Sequence, residues 1–266
     1  MNRIEKKFEE LKRAGRKGLV TFITGGDPNF EKSLSLLQDL PENGADFIEI
    51  GMPFSDPMAD GPTIQASSLR ALRAGMSTEK ILDMVRRFRT QDKDTPIILM
   101  GYYNPIYRYG PESFIQQAVE AGVDGLIIVD LPPEEYAELQ LYVRKTDLTI
   151  IRLVTPTTDA ARLPAILDGA SGFLYYVSIT GITGTKSADA EAVKKHIEEI
   201  KKETDLPIVV GFGIKDADDV KTMSAFADGV VVGSAIVENI FKHHNDNNLQ
   251  DIVASQVKDL AGALTS

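Results

Sequence analysis

Cysteine is absent from the 266 residues, which excludes a disulfide scaffold, a thiolate metal or iron-sulfur site, a thiol nucleophile and a thiol redox switch. Histidine is scarce, with three in the whole chain. His196 falls in a charged stretch (AEAVKKHIEEIKK), and His243 and His244 fall in a polar one (FKHHNDNNLQ). None stands where a buried active site is expected, so acid-base chemistry must use carboxylates, lysine or tyrosine. Positive charge is also in deficit. A formal charge of -10 does not offer nucleic acid or an anionic membrane the clustered cations that each needs, and a small-molecule role becomes the default. A long apolar run is missing too: the longest notable uncharged stretch, 169–185, has 17 residues and includes Gly169, Gly172, Gly181 and Gly184, too short and too glycine-rich to span a bilayer. The opening MNRIEKKFEELKRAG lacks the apolar core of a signal peptide and carries Glu5, Glu9 and Glu10, which a transit peptide avoids. A soluble cytoplasmic protein is the expectation.

What is present is a repeating pattern. Apolar residues make up 43% of the chain, enough for a sizeable core. Near-continuous β-branched and aromatic runs recur at 18–24, 47–51, 96–102, 125–130, 149–156, 172–178, 207–213 and 229–235. Such runs mark parallel strands covered on both faces. Between them lie helical segments. Asp27-Pro28 offers an N-cap and a first-turn proline ahead of Phe30, Leu34 and Leu37, and Ser77 offers a cap ahead of Ile81, Val85 and Phe88. In 188–203, Val193, Ile197 and Ile200 form the apolar stripe, and the Lys194/Glu198 and Lys195/Glu199 pairs read as a solvated face. Eight strand-helix units without a linker predict one (β/α)8 TIM barrel over residues 1–266, with a doubly wound sheet as the alternative. Ile4, Phe8 and Leu11 suggest an extra N-terminal helix over the barrel floor, and the run after Ser234 suggests a short helix after the eighth strand. In either architecture the chemistry belongs at the C-terminal strand ends.

The loop after the second strand, GMPFSDPMADGPT (51–63), is pinned by Pro53, Pro57 and Pro62 and carries Asp56 and Asp60. Connections between strand and helix usually take about two to six residues, so this one suggests function, although Asp60 in Ala-Asp-Gly-Pro also suits an Asx-turn. Glu49 interrupts an apolar strand between Ile48 and Ile50. By alternation it shares a face with Phe47 and Gly51. If that face lines the barrel, burial should raise its pKa toward neutrality, as suits a general acid-base. The bland alternative pairs Glu49 with a cation, but Arg152 is the only one inside the strand runs. Asp130 reads equally as a brace or a catalytic group, and Tyr175 by spacing alone reads as core. Gly181 and Gly184 after the sixth strand, Gly211 and Gly213 at the seventh, and Gly233-Ser234 at the eighth put three glycine-bearing loops together. With a helix N-terminus they point to a phosphate site. No metal-ligand cluster, strand-borne Schiff-base lysine or dinucleotide fingerprint is evident, so the residues suggest cofactor-free proton transfer on a small phosphate ester.

The stretches FIEIGMPFSDPMADGPTIQ (47–65), GLIIVDLPPEE (125–135), YYVSITGITG (175–184), VVGFGI (209–214) and GVVVGSAIVE (229–238) resemble the tryptophan synthase α subunit family in order along nearly the whole chain. The resemblance implies retro-aldol cleavage of indole-3-glycerol phosphate to indole and glyceraldehyde 3-phosphate. It assigns Glu49 as the general acid-base and Asp60 as the stabiliser of charge on the indole N-H. Tyr175, Phe22, Met100 and Thr183 become substrate-binding, and Gly184, Gly213, Gly233 and Ser234 hold the phosphate. It also implies a β subunit that carries pyridoxal phosphate and receives indole through a tunnel in an α2β2 heterotetramer. Pro53 and Asp56 would lie near that partner, while the α chain has no cofactor or metal of its own and no nucleic-acid or membrane partner.

Two departures stand out. Ile179 follows the serine of the sixth strand where arginine is common in the family, which bears on lid closure and on coupling to the β subunit. Met52 stands where a β-branched residue is common. The competing expectations are a related phosphate-binding barrel isomerase, which has no use for the SDPMADGP loop, and a chain kept mainly as an allosteric activator of the β subunit.

Overall fold

Side chains alternate across each strand, and here the alternation sorts the chain into two apolar layers. The structure, a computed structural model, describes residues 2–177, 186–211 and 213–264, without the side chains of 186–189. The strands are β1 (Gly18–Thr24), β2 (Phe47–Gly51), β3 (Ile97–Gly101), β4 (Gly125–Ile128), β5 (Thr149–Ile150), β6 (Arg152–Val154), β7 (Leu174–Val177), β8 (Ile208–Gly211) and β9 (Gly229–Val232). They are parallel, in the order β5-β4-β3-β2-β1-β9-β8-β7-β6. Because β5 and β6 follow each other in the chain across Ile151, the two ends of that order meet. The result is a barrel of eight staves with helices outside, so the closed alternative holds over the open sheet.

Val20, Phe22, Phe47, Ile98, Ile127, Phe173, Val209 and Val231 fill the interior. Their strand neighbours, including Leu19, Ile48, Ile50, Leu99, Leu126 and Val230, face outward and pack under the helices. The expected stripe of the helix Thr78–Arg89 is there, with Ile81, Val85 and Phe88 fully buried and the Ser77 side chain accepting the Lys80 N-H. Each such burial is worth roughly 1.5–3 kcal/mol. Val193, Ile197 and Ile200 are buried along Lys186–Ile200, while Glu191, Lys195, Glu198 and Glu199 face solvent. At the floor, the helix Arg3–Arg13 opens with a capping box between Asn2 and Glu5. It inserts Ile4 and packs Phe8 tilted against Phe47 and edge-on against Phe173, with ring centroids 4.6 and 5.7 Å apart.

Three local expectations are corrected. The helix Phe30–Asp39 is capped by Asn29, whose side chain accepts the Lys32 N-H. Asp27 instead receives Arg70 through Nε (2.8 Å) and Nη2 (2.6 Å), a bidentate ion pair that outcompetes a cap. The fifth strand run is broken at Ile151: β5 pairs with β4, and β6 pairs with β7. Finally, the last strand stops at Val232, because Ser234 already begins the helix Ser234–His243.

Candidate active site

The C-terminal ends of β1, β2, β3 and β7 bring the candidate carboxylates and aromatics to one mouth. Glu49 sits in the middle of β2, in register with Phe22 of β1 and Ile98 of β3. It points inward as alternation requires and is fully buried. Neither carboxylate oxygen has a hydrogen-bond partner among the described residues. Burial alone therefore acts on it and pushes its pKa from 4.5 up to about 8, so the carboxyl is mostly protonated at neutral pH. Arg152 offers no relief. Its neighbours Ile151 and Leu153 face the interior, and its guanidinium lies 4.3 Å from the centre of the Tyr136 ring.

Tyr175 on β7 is buried and belongs to the interior cluster. Burial first, then the charges of Glu49 and Asp60, raise its pKa well above the ordinary value, so the phenol stays protonated within electrostatic reach of both acids. The room it occupies comes from Gly211 on β8. Phe22 and Met100 also face the interior. The Phe22 ring lies over Gly51, where a methyl group would approach its Cζ to 2.5 Å.

Asp60 is half-buried on the loop between β2 and the helix Pro62–Arg73. Burial raises its pKa, and a hydrogen bond from Tyr102 partly offsets the rise. The same Tyr102 hydroxyl accepts the Ala59 N-H at 2.9 Å, and the Gln65 side chain donates to the Asp60 carbonyl at 2.8 Å. The loop around Asp60 is thus held from two sides. Further along it, Pro53 is half-buried, while Asp56 is exposed and receives the Ser55 hydroxyl at 2.5 Å. Met58 is 85% exposed.

Gly213 follows β8 with φ +81° and is exposed. Gly233 precedes the helix Ser234–His243, whose start has no side-chain cap. The first N-H groups of that helix are therefore available to an anion. Thr183, Gly184 and Ile179 lie outside the described residues.

Sequence reasoning passed over Tyr102, the residue immediately after β3. Its only signal was its place at a strand end, and the link to Asp60 needs the fold. Ile64, on the first turn of the helix Pro62–Arg73, also packs against the interior cluster. Asp130 accepts the Tyr103 N-H at 2.7 Å, so it braces the start of the helix Tyr103–Tyr109. His196 sits outside the barrel wall between the Tyr176 hydroxyl (3.1 Å) and the Thr158 carbonyl (2.9 Å).

An eight-staved barrel whose interior buries an unpaired carboxyl with a raised pKa is suited to proton-transfer chemistry. The comparisons narrow the class. Residues 8–264 match the family model of the tryptophan synthase alpha chain. The chain is also similar to the crystal structure of tryptophan synthase subunit alpha from Legionella pneumophila str. Paris, at 42% identity and TM-score 0.93, covering 100% of this chain and 99% of that one. A structure of tryptophan synthase from M. tuberculosis in an aminoacrylate-bound form matches at 29% identity and TM-score 0.89, covering 99% of this chain and 100% of that one. The chain belongs to the tryptophan synthase alpha chain family, and its activity is the lyase reaction of that family, the aldol cleavage of indole-3-glycerol phosphate in tryptophan biosynthesis. No helix among the described residues is long and apolar enough to cross a membrane.

Proposed function

We propose that Glu49 performs both proton transfers of this cleavage. The observation that carries the proposal is its buried, unpaired and mostly protonated carboxyl. In its acid form Glu49 protonates C3 of the indole ring, which leaves a cation delocalised onto the ring nitrogen. The Asp60 carboxylate accepts the indole N-H and stabilises that charge. Glu49, now ionised, takes the proton of the hydroxyl on the side-chain carbon attached to C3. The C-C bond to C3 then breaks, its electron pair returns to the ring, and indole and glyceraldehyde 3-phosphate are released. The protonated ring is the electron sink, so the step needs neither metal nor Schiff base from this chain.

Tyr175 fixes the position of the substrate and of Glu49, Phe22 and Met100 line the indole pocket, and Thr183 binds the substrate. The phosphate rests on backbone N-H groups of Gly184, Gly213, Gly233 and Ser234. With a net charge of -10, the protein's overall field opposes an anionic substrate, which favours local backbone donors for this task. In the cell we place the chain in the cytoplasm, without a cofactor of its own, in an α2β2 assembly with a pyridoxal-phosphate β subunit. Pro53 and Asp56 would face that subunit, and Ile179 would modulate the lid.

The decisive experiment is indole release from indole-3-glycerol phosphate by the purified chain, with and without a β subunit. Release is expected without added metal, and faster with the β subunit. Full activity in Glu49→Gln overturns the assignment of Glu49.

A further inference from the structure

Two helices pack against β1 and against each other. The helix Pro62–Arg73 follows β2 and the Asp60 loop, and the helix Ser234–His243 follows β9; β2 and β9 are the two neighbours of β1 in the barrel. Each helix sends an apolar side chain from its first turn to the interior cluster, Ile64 from the one and Val237 from the other. The first helix begins beside Asp60, whose carbonyl accepts the Gln65 side chain. The second begins at the N-H groups assigned above to the substrate phosphate. The relative placement of the two helices therefore sets the distance between the indole and phosphate ends of the site.

Arg70 joins them. It is half-buried on the helix Pro62–Arg73, and its Nε and Nη2 donate to the two carboxylate oxygens of Asp27. Asp27 is 2% exposed in the loop after β1, and its own N-H donates to the Thr24 carbonyl at 3.1 Å. The Arg70 Cζ also lies over the Phe241 ring of the helix Ser234–His243, 4.5 Å from the centroid. That ring, although half exposed, is held in turn: the His244 ring lies parallel to it at 5.9 Å, and Lys32 donates to the His244 carbonyl at 2.6 Å. The first helix is anchored to β1 a second time, through the buried hydroxyls of Ser67 and Thr24 at 2.6 Å. Arg70 passes that fixed position on to Phe241. A planar guanidinium can give its edge to a carboxylate and its face to an aromatic ring at once, in one fixed orientation, which the point charge of lysine cannot.

We propose that Arg70 is a positioning residue that fixes the span between the indole and phosphate ends of the site, and so makes the enzyme selective for the length of the carbon chain joining the two. The inference rests on the assignment of the indole N-H to Asp60 and of the phosphate to the start of the helix Ser234–His243. A two-ended ligand gains affinity from holding both subsites at once and loses that gain when its linker does not match the span, whereas each end alone is indifferent to the span. Small shifts matter here, because a misplacement of about 1 Å can cost about a hundredfold in rate.

The test uses ligands that cannot be cleaved: indol-3-yl alkyl phosphates with chains of two, three and four carbons, with indole and glycerol 3-phosphate as the separate ends. Each is titrated into the full chain by calorimetry, well below the Tm of each protein. The wild type should bind the three-carbon compound about tenfold or more tighter than the other two. In Arg70→Lys and in Phe241→Ala that preference should shrink to about threefold or less, through loss of three-carbon binding, while indole and glycerol 3-phosphate bind as they do to the wild type. Both variants keep a cation beside the buried Asp27, so neither strands an unpaired carboxylate. Should Arg70→Lys fail to fold, Phe241→Ala, at a half-exposed position, decides alone. A merely structural Arg70 would lower Tm and leave the three-carbon preference intact, and an intact preference in either folded variant overturns the proposal. Equal weakening of every ligand, the separate ends included, also overturns it. A wild type without the three-carbon preference overturns the reading of the two ends and the proposal with it, a failure recognised before any substitution is made.

Discussion

Gly211 and Tyr175 share one volume: a methyl group on Gly211 would come within 2.2 Å of the Tyr175 hydroxyl and 2.5 Å of its Cζ. The two residues are on adjacent strands, β8 and β7, and Gly211 is fully walled by the barrel. Gly211→Ala must therefore displace the tyrosine ring. Overpacking of this kind costs about 1–3 kcal/mol. Since Tyr175 is assigned to substrate positioning, kcat/KM for indole-3-glycerol phosphate should fall together with Tm. In a Tyr175→Leu background the same glycine substitution should cost clearly less stability. A double-mutant cycle on Tm and denaturant midpoints checks this, and additive effects would contradict the shared volume.

Glu49 ties both stability and activity to pH in the same sense, each falling as the pH rises. Its folded pKa of about 8 lies above the ordinary 4.5, so between these values the folded chain holds a proton that the unfolded chain has released. Folding stability then falls as pH rises from about 4.5 to about 8, by up to roughly 5 kcal/mol from this one group. Glu49→Gln removes the liability. It should raise Tm at pH 8 by several degrees relative to wild type and change it little at pH 5, while lyase activity drops by about 10² to 10⁴. A variant no more stable than wild type at pH 8 would show that the carboxyl is not desolvated as described.

The same pKa sets the pH profile of the intact enzyme. The first proton transfer needs the acid form of Glu49, so kcat/KM, which reports the free enzyme, should decline as pH rises through about 8. A profile flat to pH 9.5 would place the essential proton elsewhere.

Glu49 could be read from sequence because strand alternation is a strict period of two: one acidic residue among isoleucines must face either the core or the barrel interior, and both are dry. The barrel was legible for a similar reason, since eight apolar runs separated by helical stripes leave few ways to bury both faces. Asp27 was misread because a cap is a local pattern, whereas its partner Arg70 lies 43 residues away. The break at Ile151 was invisible because the run TIIRLVTP has no glycine or proline at the point where pairing changes strands. Tyr102 escaped because its only local signal was its place at a strand end, and its link to the loop after β2 appears once β2 and β3 pair side by side.

Tyr102 offers a test of how that loop is held. Tyr102→Phe removes the acceptor of the Ala59 N-H and the donor to Asp60 but keeps the ring contact with Phe54, whose centroid is 5.3 Å away. The fold should survive, with Tm reduced by a few degrees. Asp60 would lose its orientation, so kcat for indole release should drop about tenfold, a loss of about 1.4 kcal/mol. Asp60→Asn in the Tyr102→Phe background should add less than it does alone. Independent, additive losses in kcat would separate Tyr102 from Asp60.

Ser234 allows the phosphate assignment to be tested with opposite signs in two measurements. It is exposed and opens a ten-residue helix that has no side-chain cap, and a carboxylate in the first turn of such a helix is stabilising by about 0.3–1 kcal/mol. Ser234→Asp should therefore leave Tm unchanged or slightly raised. If the substrate phosphate sits on the same N-H groups, the introduced charge meets a like charge a few ångströms away, where repulsion in a partly solvated site amounts to roughly 1–4 kcal/mol. KM for indole-3-glycerol phosphate should then rise about tenfold or more, with kcat affected far less because the reacting carbon atoms are at the other end of the substrate. Ser234→Ala, which keeps the backbone donors and adds no charge, should change KM only modestly. A Ser234→Asp enzyme with normal KM would move the phosphate away from the end of β9, whereas a fall in Tm together with a rise in KM would trace the defect to folding instead of charge.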